Sequence, residues 1–304
     1  MPNSDEGVRV PLGISDLPSH GLFAQDPPAE LYHYTSLQGA HGIITSKQLW
    51  LTKIQHLNDM TELRYAIDLF RHAVVRWQAN LDAEERAFID RGAHQLGSFT
   101  GTNICVASFC ADGDLLSQWR AYGAEATGVA LGFSGSYLKG LSNRGFLRTW
   151  KCIYDPGDHE TIIRELVEMA LHCFNMRHTL SNDAAKQTFA KEIIGWFNTT
   201  FLRVAPVLKD RNFHEEKEWR IISTSIKSTN PDYDIVSLGS RQMPIFRLNF
   251  PVAKDGTCGV LSRIRLGPTG DRDAMSKTLV ALLQKHGHSR ISIQPSSIPY
   301  RAPR

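Results

Sequence analysis

Apolar residues along the chain recur with two different periods, and the switches between them mark out its elements. Leu31-Tyr32-His33-Tyr34 is a short aromatic run that predicts a strand. Ser36 is placed to cap a short helix carrying Leu37, Ile43 and Ile44. Leu49-Trp50-Leu51-Thr52 predicts a second strand. A long helix follows, with a capping-box pattern at Asp59 and Glu62 and an apolar stripe through Leu63, Ile67, Phe70, Val74 and Trp77. Residues 83–92 predict a shorter helix. Strands are expected at 104–109, 128–133 and 149–154, with a short helix at 115–122. Two more helices are marked by Ile162, Leu166, Ala170 and Phe174, then by Phe189, Ile193, Trp196 and Val204, the second starting near Asn182 or Asp183. Beyond them strands are expected at 218–224, 245–250 and 260–266. A helix through Met275, Leu279 and Leu282 then precedes a last strand at 290–293.

Residues 1–28, rich in Pro, Gly, Asp and Ser, read as an irregular lead-in. Strands and helices mix without regular βαβ alternation. The expectation is one α+β domain over 29–304 with a helical insert at about 157–208.

Composition narrows the class. With 42% hydrophobic and 21% charged residues, the chain reads as folded rather than disordered. The 34 basic against 31 acidic residues give +3, which excludes nucleic-acid binding by gross charge alone but leaves room for a local patch. The 5 cysteines (Cys105, Cys110, Cys152, Cys173, Cys258) are scattered without a CxxC pair, which argues against a disulfide framework or zinc ribbon. A cytoplasmic location is expected. Residues 1–21 lack the apolar centre of a signal peptide, and no apolar run approaches the ~20 residues that span a bilayer, so no membrane partner is expected.

GxGxxG, P-loop, HExxH and GxSxG patterns are absent. The pairs Asp112/Asp114, Asp271/Asp273 and His286/His288 lack the further ligands a metal needs, and no metal site is expected.

Three stretches hold polar residues that packing does not require. In Leu31–Ser36, strand alternation places His33 and Thr35 on one face and Tyr32 and Tyr34 on the other. Around Val106-Ala107-Ser108-Phe109-Cys110, Ser108 ends a strand, and Asp114 reads as the N-cap of the helix carrying Gln118, Trp119 and Arg120. Cys110 has no local nucleophile signature. In Glu216-Lys217-Glu218-Trp219-Arg220, a strand reading puts Glu216, Glu218 and Arg220 on one face, the two carboxylates roughly 6–7 Å apart.

Taken in order, YHYTS, LWLT, HLND, SFC, DLLSQW, GVALGF, EEKEWRI and the closing Ser297-Ile298-Pro299-Tyr300-Arg301 resemble a bacterial family catalogued only as a domain of unknown function. The resemblance spans about residues 30–301. Its opening strand is similar to that of ADP-ribosyltransferases of the diphtheria-toxin type and of toxins that modify DNA bases. The resemblance implies a split mixed sheet with flanking helices, NAD as substrate, and an acceptor that is nucleic acid or protein. It implies the role of a toxin or phage-defence effector. His33, with Thr35 beside it, would match the NAD-binding histidine. Glu218, in the Glu216-x-Glu218 pair, would match the catalytic glutamate. Ser108 would line the pocket, and Tyr34, Tyr65 and Tyr122 are the candidates for stacking on nicotinamide. Whether NAD is transferred or hydrolysed stays open.

Two other readings stand beside it. Arg203, Lys209, Arg211, Lys217 and Arg220, interleaved with Trp196, Phe201 and Phe213, would suit nucleic-acid binding without NAD. A catalytically inactive sensor or antitoxin would keep the scaffold without the chemistry.

Overall fold

A computed structural model describes residues 14–56, 60–98, 103–124, 126–288 and 291–300. Asp59 of the capping-box pattern and Arg301 of the closing motif lie outside them. Two units emerge from the packing: one from segments 1–24, 59–102 and 153–211, the other from 25–58, 103–152 and 212–304.

The second unit is built on a mixed α+β sheet of ten strands. In chain order they are β1 (Glu30–Thr35), β2 (Gln48–Lys53), β3 (Cys105–Cys110), β4 (Val129–Ser134), β5 (Leu147–Lys151), β6 (Glu218–Ser223), β7 (Tyr233–Leu238), β8 (Arg241–Asn249), β9 (Leu261–Leu266) and β10 (Ser292–Pro295). Helices α1 (Leu37–Ser46), α4 (Leu116–Ala121), α5 (Gly135–Gly140) and α8 (Arg272–Lys285) flank it. The order runs β10-β9-β4-β1-β3-β2-β8-β7, with β6 against β3 and β5 against β6. All pairs are antiparallel except β9 with β10.

Strand β3 is the branch point. Strand β6 pairs along it from Val106 to Cys110. Its other edge is shared. There β1 joins through Tyr32↔Cys110 alone, and β2 through Thr52↔Val106 and Lys53↔Cys105. Ala107, Ser108 and Phe109 therefore have no strand partner on that edge, and the sheet is split there.

Period-2 alternation sorts the side chains. One face carries Leu31, Leu51, Phe109, Leu131, Phe133, Trp219, Ile221 and Phe246, packed with Ala40 and Ile44 of α1 and Leu279 and Leu283 of α8. Each of these large side chains gains roughly 1.5–3 kcal/mol from leaving water. The opposite face carries a smaller cluster, Tyr32, Tyr34, Cys110 and Ala130, under Trp119 of α4. Gly128 is required where β1 ends, since a Cβ there would stand 2.3 Å from the Thr35 carbonyl oxygen.

Strand β7 escapes a reading by apolar alternation because it is an edge, with Ile235 58% and Leu238 48% exposed.

The first unit is helical: α2 (Met60–Trp77), α3 (Ala83–Ser98), α6 (Pro156–Met176) and α7 (Asp183–Val204). The helical insert expected at about 157–208 corresponds to α6 and α7, and α2 and α3 share their unit. Asp82 and Glu85 make a reciprocal capping box, 2.8 and 3.0 Å. Asp155 caps α6 with Pro156 behind it, and Asn182 caps α7. Phe70 meets Phe197 and Phe201 in the core, and Phe88 stacks on Phe174 at 4.2 Å. No helix among the described residues is long and apolar enough to cross a membrane.

Candidate functional site

The split in the sheet is where the first predicted residue sits. His33 lies on β1, and its Nδ1 is 3.0 Å from the Ser108 carbonyl oxygen, on the edge of β3 that no strand covers. A carbonyl only accepts, so Nδ1 carries the hydrogen and Nε2 is the acceptor. Nε2 has no protein partner among the described residues. Burial holds the ring's pKa below its ordinary value, against the opposing effect of the Ser108 hydrogen bond. The imidazole is thus neutral at pH 7. The Phe109 ring, 5.8 Å away, forms part of its wall. Thr35 closes the strand, and Ser36 caps α1 by accepting from the Gly39 amide at 3.0 Å.

Strands β1, β3 and β6 are consecutive, so His33, Ser108 and Glu218 come from three neighbouring strands. Ser108 stands opposite Arg220, and Cys110 opposite Glu218. Glu218 and Ser108 thus emerge on the Tyr34 face, while His33 alternates to the other face and turns its ring toward the edge of β3. Glu218 is 5% exposed and takes a bidentate ion pair from Arg220, Nε at 2.7 Å and Nη2 at 3.0 Å.

The predicted same-face pair of Glu216 and Glu218 is corrected. Residues Arg211–Glu216 form a 3-10 turn. Lys217 then adopts φ 44°, a left-handed conformation, and β6 begins only at Glu218. The alternation that would align the two carboxylates is broken by this strained residue. The carbonyl of Glu216 accepts from the Cys110 thiol at 2.9 Å. Burial pushes that thiol up to about 12, which removes Cys110 as a nucleophile near neutral pH.

The three tyrosines part company. Tyr34 is buried, donates to the Asp112 carbonyl at 2.8 Å, accepts from the Leu115 amide at 2.9 Å and stands edge-on to Trp119. Tyr65 belongs to the helical unit, where its hydroxyl meets His159 Nδ1 at 3.1 Å. Tyr122 follows α4 and is 42% exposed.

Asp114 is not the N-cap it reads as. Leu115 holds that position, without a side-chain cap. Asp114 instead collects donors from far along the chain. It accepts from Trp119 Nε1 (2.9 Å), the Ser296 hydroxyl (2.5 Å), and the Ser297 amide and hydroxyl (2.8 Å each). Burial would raise its pKa, but these hydrogen bonds hold it below the ordinary range. Arg120 lies over the Tyr300 ring at 5.2 Å. Gly113 leaves room beside this knot, since a Cβ there would fall 2.5 Å from the Tyr32 ring. DLLSQW and the Ser-Ile-Pro-Tyr segment both stand out in the sequence, but nothing local in it says that they bind each other.

The other expected constellations are engaged structurally. Asp112 accepts from the Asp114 amide, Asp271 caps α8, and His288 is bonded to the Ile44 carbonyl. No group of three or more metal-ligating side chains occurs among the described residues. Of the basic set, Lys209 is 3% and Arg220 4% exposed, and Phe201 is fully buried in the helical core. The set read as a basic, aromatic surface is thus divided: Lys209, Arg220 and Phe201 are interior, while Arg211, Phe213 and Lys217 are exposed.

Residues 118–221 match the family model described as Protein of unknown function (DUF2971). That span includes the end of α4, all of α6 and α7, and Glu218. No curated protein and no solved structure matches the chain.

Proposed function

We propose that the chain is an NAD-consuming, ADP-ribosyltransferase-like enzyme whose site lies at the split beside β3. The observation that carries this is the place of His33. It stands at an uncovered sheet edge, anchored through Nδ1 to the Ser108 carbonyl, with Nε2 able to accept. A ribose hydroxyl is a donor that suits this nitrogen. Glu218 supplies the second requirement. Cleavage of the nicotinamide–ribose bond builds positive charge on the ribose, and Glu218, on the Tyr34 face of the sheet, is the carboxylate that would stabilise it. The Arg220 fork holds Glu218 in one orientation before substrate arrives, which keeps the carboxylate preorganised. Tyr34, Tyr65 and Tyr122 stay the candidates to stack on nicotinamide, and Tyr122 is the most exposed residue of the three. The acceptor is nucleic acid or protein, and the biological role that of a toxin or phage-defence effector.

The test is incubation of the full chain with labelled NAD and cell lysate, alongside Glu218→Gln and His33→Asn. Glu218→Gln is expected to cut NAD consumption about 10²–10³-fold while NAD still binds. His33→Asn is expected to weaken NAD binding about tenfold. If calorimetry detects no NAD binding to the wild-type chain, the reading fails. Binding without consumption, unchanged by Glu218→Gln, would identify an inactive sensor.

A further inference from the structure

Gln118 is the residue of α4 that packing leaves unexplained. It is 7% exposed, yet its side-chain amide makes no hydrogen bond among the described residues. An amide held largely out of water without partners is costly, so its donors and acceptor call for a group from outside the chain.

The helix fixes where this amide points. Successive residues of an α-helix turn by about 100°. Trp119 faces the sheet, edge-on to Tyr34 at 4.7 Å. Arg120, one step on, reaches the Tyr300 ring. Tyr300 belongs to the segment that leaves β10, tied to β9 where the Ser296 amide donates to the Leu266 carbonyl at 2.8 Å. Gln118, one step back from Trp119, projects from the opposite flank. In the sheet, β9 and β10 lie to one side of β1, and β3 and β6 to the other. The Gln118 flank is therefore the one toward β3.

Strand β3 is open at one place there. Ser108 is its one residue that is not buried. It emerges on the Tyr34 face beside the split that receives His33, and its hydroxyl makes no hydrogen bond among the described residues. Tyr122, whose amide donates to the Gln118 carbonyl at 2.9 Å, lies one turn along the same flank and is 42% exposed. An amide, a hydroxyl and an aromatic ring are thus set along one side of the split.

We propose that Gln118 reads the carboxamide of the nicotinamide ring, an inference that rests on the NAD reading above. Two primary amides are complementary. Gln118 Oε1 accepts from the carboxamide NH2, and Gln118 Nε2 donates to its carbonyl. A carboxylate in that place offers acceptors only, so one of the two bonds is lost and two oxygens face each other. Gln118 thereby selects nicotinamide over nicotinate and sets specificity rather than chemistry.

Calorimetric titration of the full chain with NAD, its nicotinate counterpart and ADP-ribose tests this. ADP-ribose lacks the ring, so its binding reports the rest of the site. The wild-type chain is expected to bind NAD at least about tenfold more tightly than the nicotinate form. Gln118→Met is expected to shrink that preference below about threefold and to leave ADP-ribose binding unchanged. Gln118→Glu keeps the shape, adds a negative charge and is expected to widen the preference. A side chain that only packs would move neither ratio. Melting temperature checks that each variant is folded, and Gln118→Glu decides alone if Gln118→Met is not. Equal binding of the two dinucleotides by the wild-type chain, or a preference that either folded variant leaves unchanged, would overturn the inference while the NAD reading stands. Failure of NAD and ADP-ribose alike to bind would overturn both.

Discussion

Strand β1 of the sheet unit and helix α6 of the helical unit each hold a histidine bonded to a backbone carbonyl. His33 meets Ser108 at 3.0 Å, and His159 meets Ile153 at 2.7 Å. Burial lowers both pKa values, and both rings are neutral at pH 7. Their remaining nitrogens differ. Nδ1 of His159 is met by the Tyr65 hydroxyl, and the two rings stand edge to face at 5.7 Å. Nε2 of His33 has no protein partner among the described residues. A histidine with both nitrogens used is part of a framework. One with a nitrogen turned toward an uncovered sheet edge is available for a ligand. The residue type and the backbone bond are the same in the two places, but His159 is fully buried and His33 half-buried, so the second partner and the opening beside the ring together separate structure from function.

The strongest way to break this contrast is to remove each ring. His159→Ala is expected to cost about 2–4 kcal/mol, because it opens a cavity and leaves the Ile153 carbonyl and the Tyr65 hydroxyl unpaired. His33→Ala is expected to cost about 1–2 kcal/mol, since it unpairs one carbonyl beside an open edge. Urea unfolding of both variants measures the difference, and equal losses would remove it.

Acid gives an intermediate effect and acts on both units. His33, His159 and His288 all have folded pKa values below the ordinary one, each mainly through burial. Below about pH 6.5 the unfolded chain therefore binds protons that the folded chain does not, and stability falls as pH falls. Glu30 and Asp114 are held low as well, despite burial that would raise them. Their hydrogen-bonding partners are Tyr32 and Ser262 for the first, and Ser296, Ser297 and Trp119 for the second. Their share is lost only below about pH 4. Melting temperature recorded from pH 8 down to about pH 5 should decline, and His159→Gln should flatten the decline. A flat wild-type profile would contradict the burial of these rings.

The smallest expected effect is at Asp114. Asp114→Asn keeps the shape but weakens charge-assisted hydrogen bonds, and about 1–2 kcal/mol is expected. Protection of the Ser297 amide from hydrogen exchange should fall with it. Unchanged protection would mean that the segment is held by Ile298 and Tyr300 packing instead.

The α+β class, most strands and the long helices were legible because each carries a clean period. Trp219 and Ile221 also announced that β6 enters the core, where all six of its residues are buried. His33 and Ser108 could be picked out as residues, but not their contact, which depends on two strands sharing one edge of β3. The Glu216–Glu218 alignment failed because Lys217 takes a left-handed backbone that no side-chain pattern signals. The role of Asp114 was invisible for another reason. Its partners lie 182 and 183 positions away, and a local N-cap explains the same residue equally well in isolation.

That separation sets an order of events during synthesis on the ribosome. Strands β1, β3 and β4 can pair once residue 134 has emerged. Strand β6 cannot join β3 until residues 218–223 are made. Asp114 and Trp119 must then wait for Ser296 and Ser297. Contacts so distant in sequence form late, because loop closure must precede them. A nascent chain therefore leaves Asp114 and the helix beside it without these partners until residues 296 and 297 are translated.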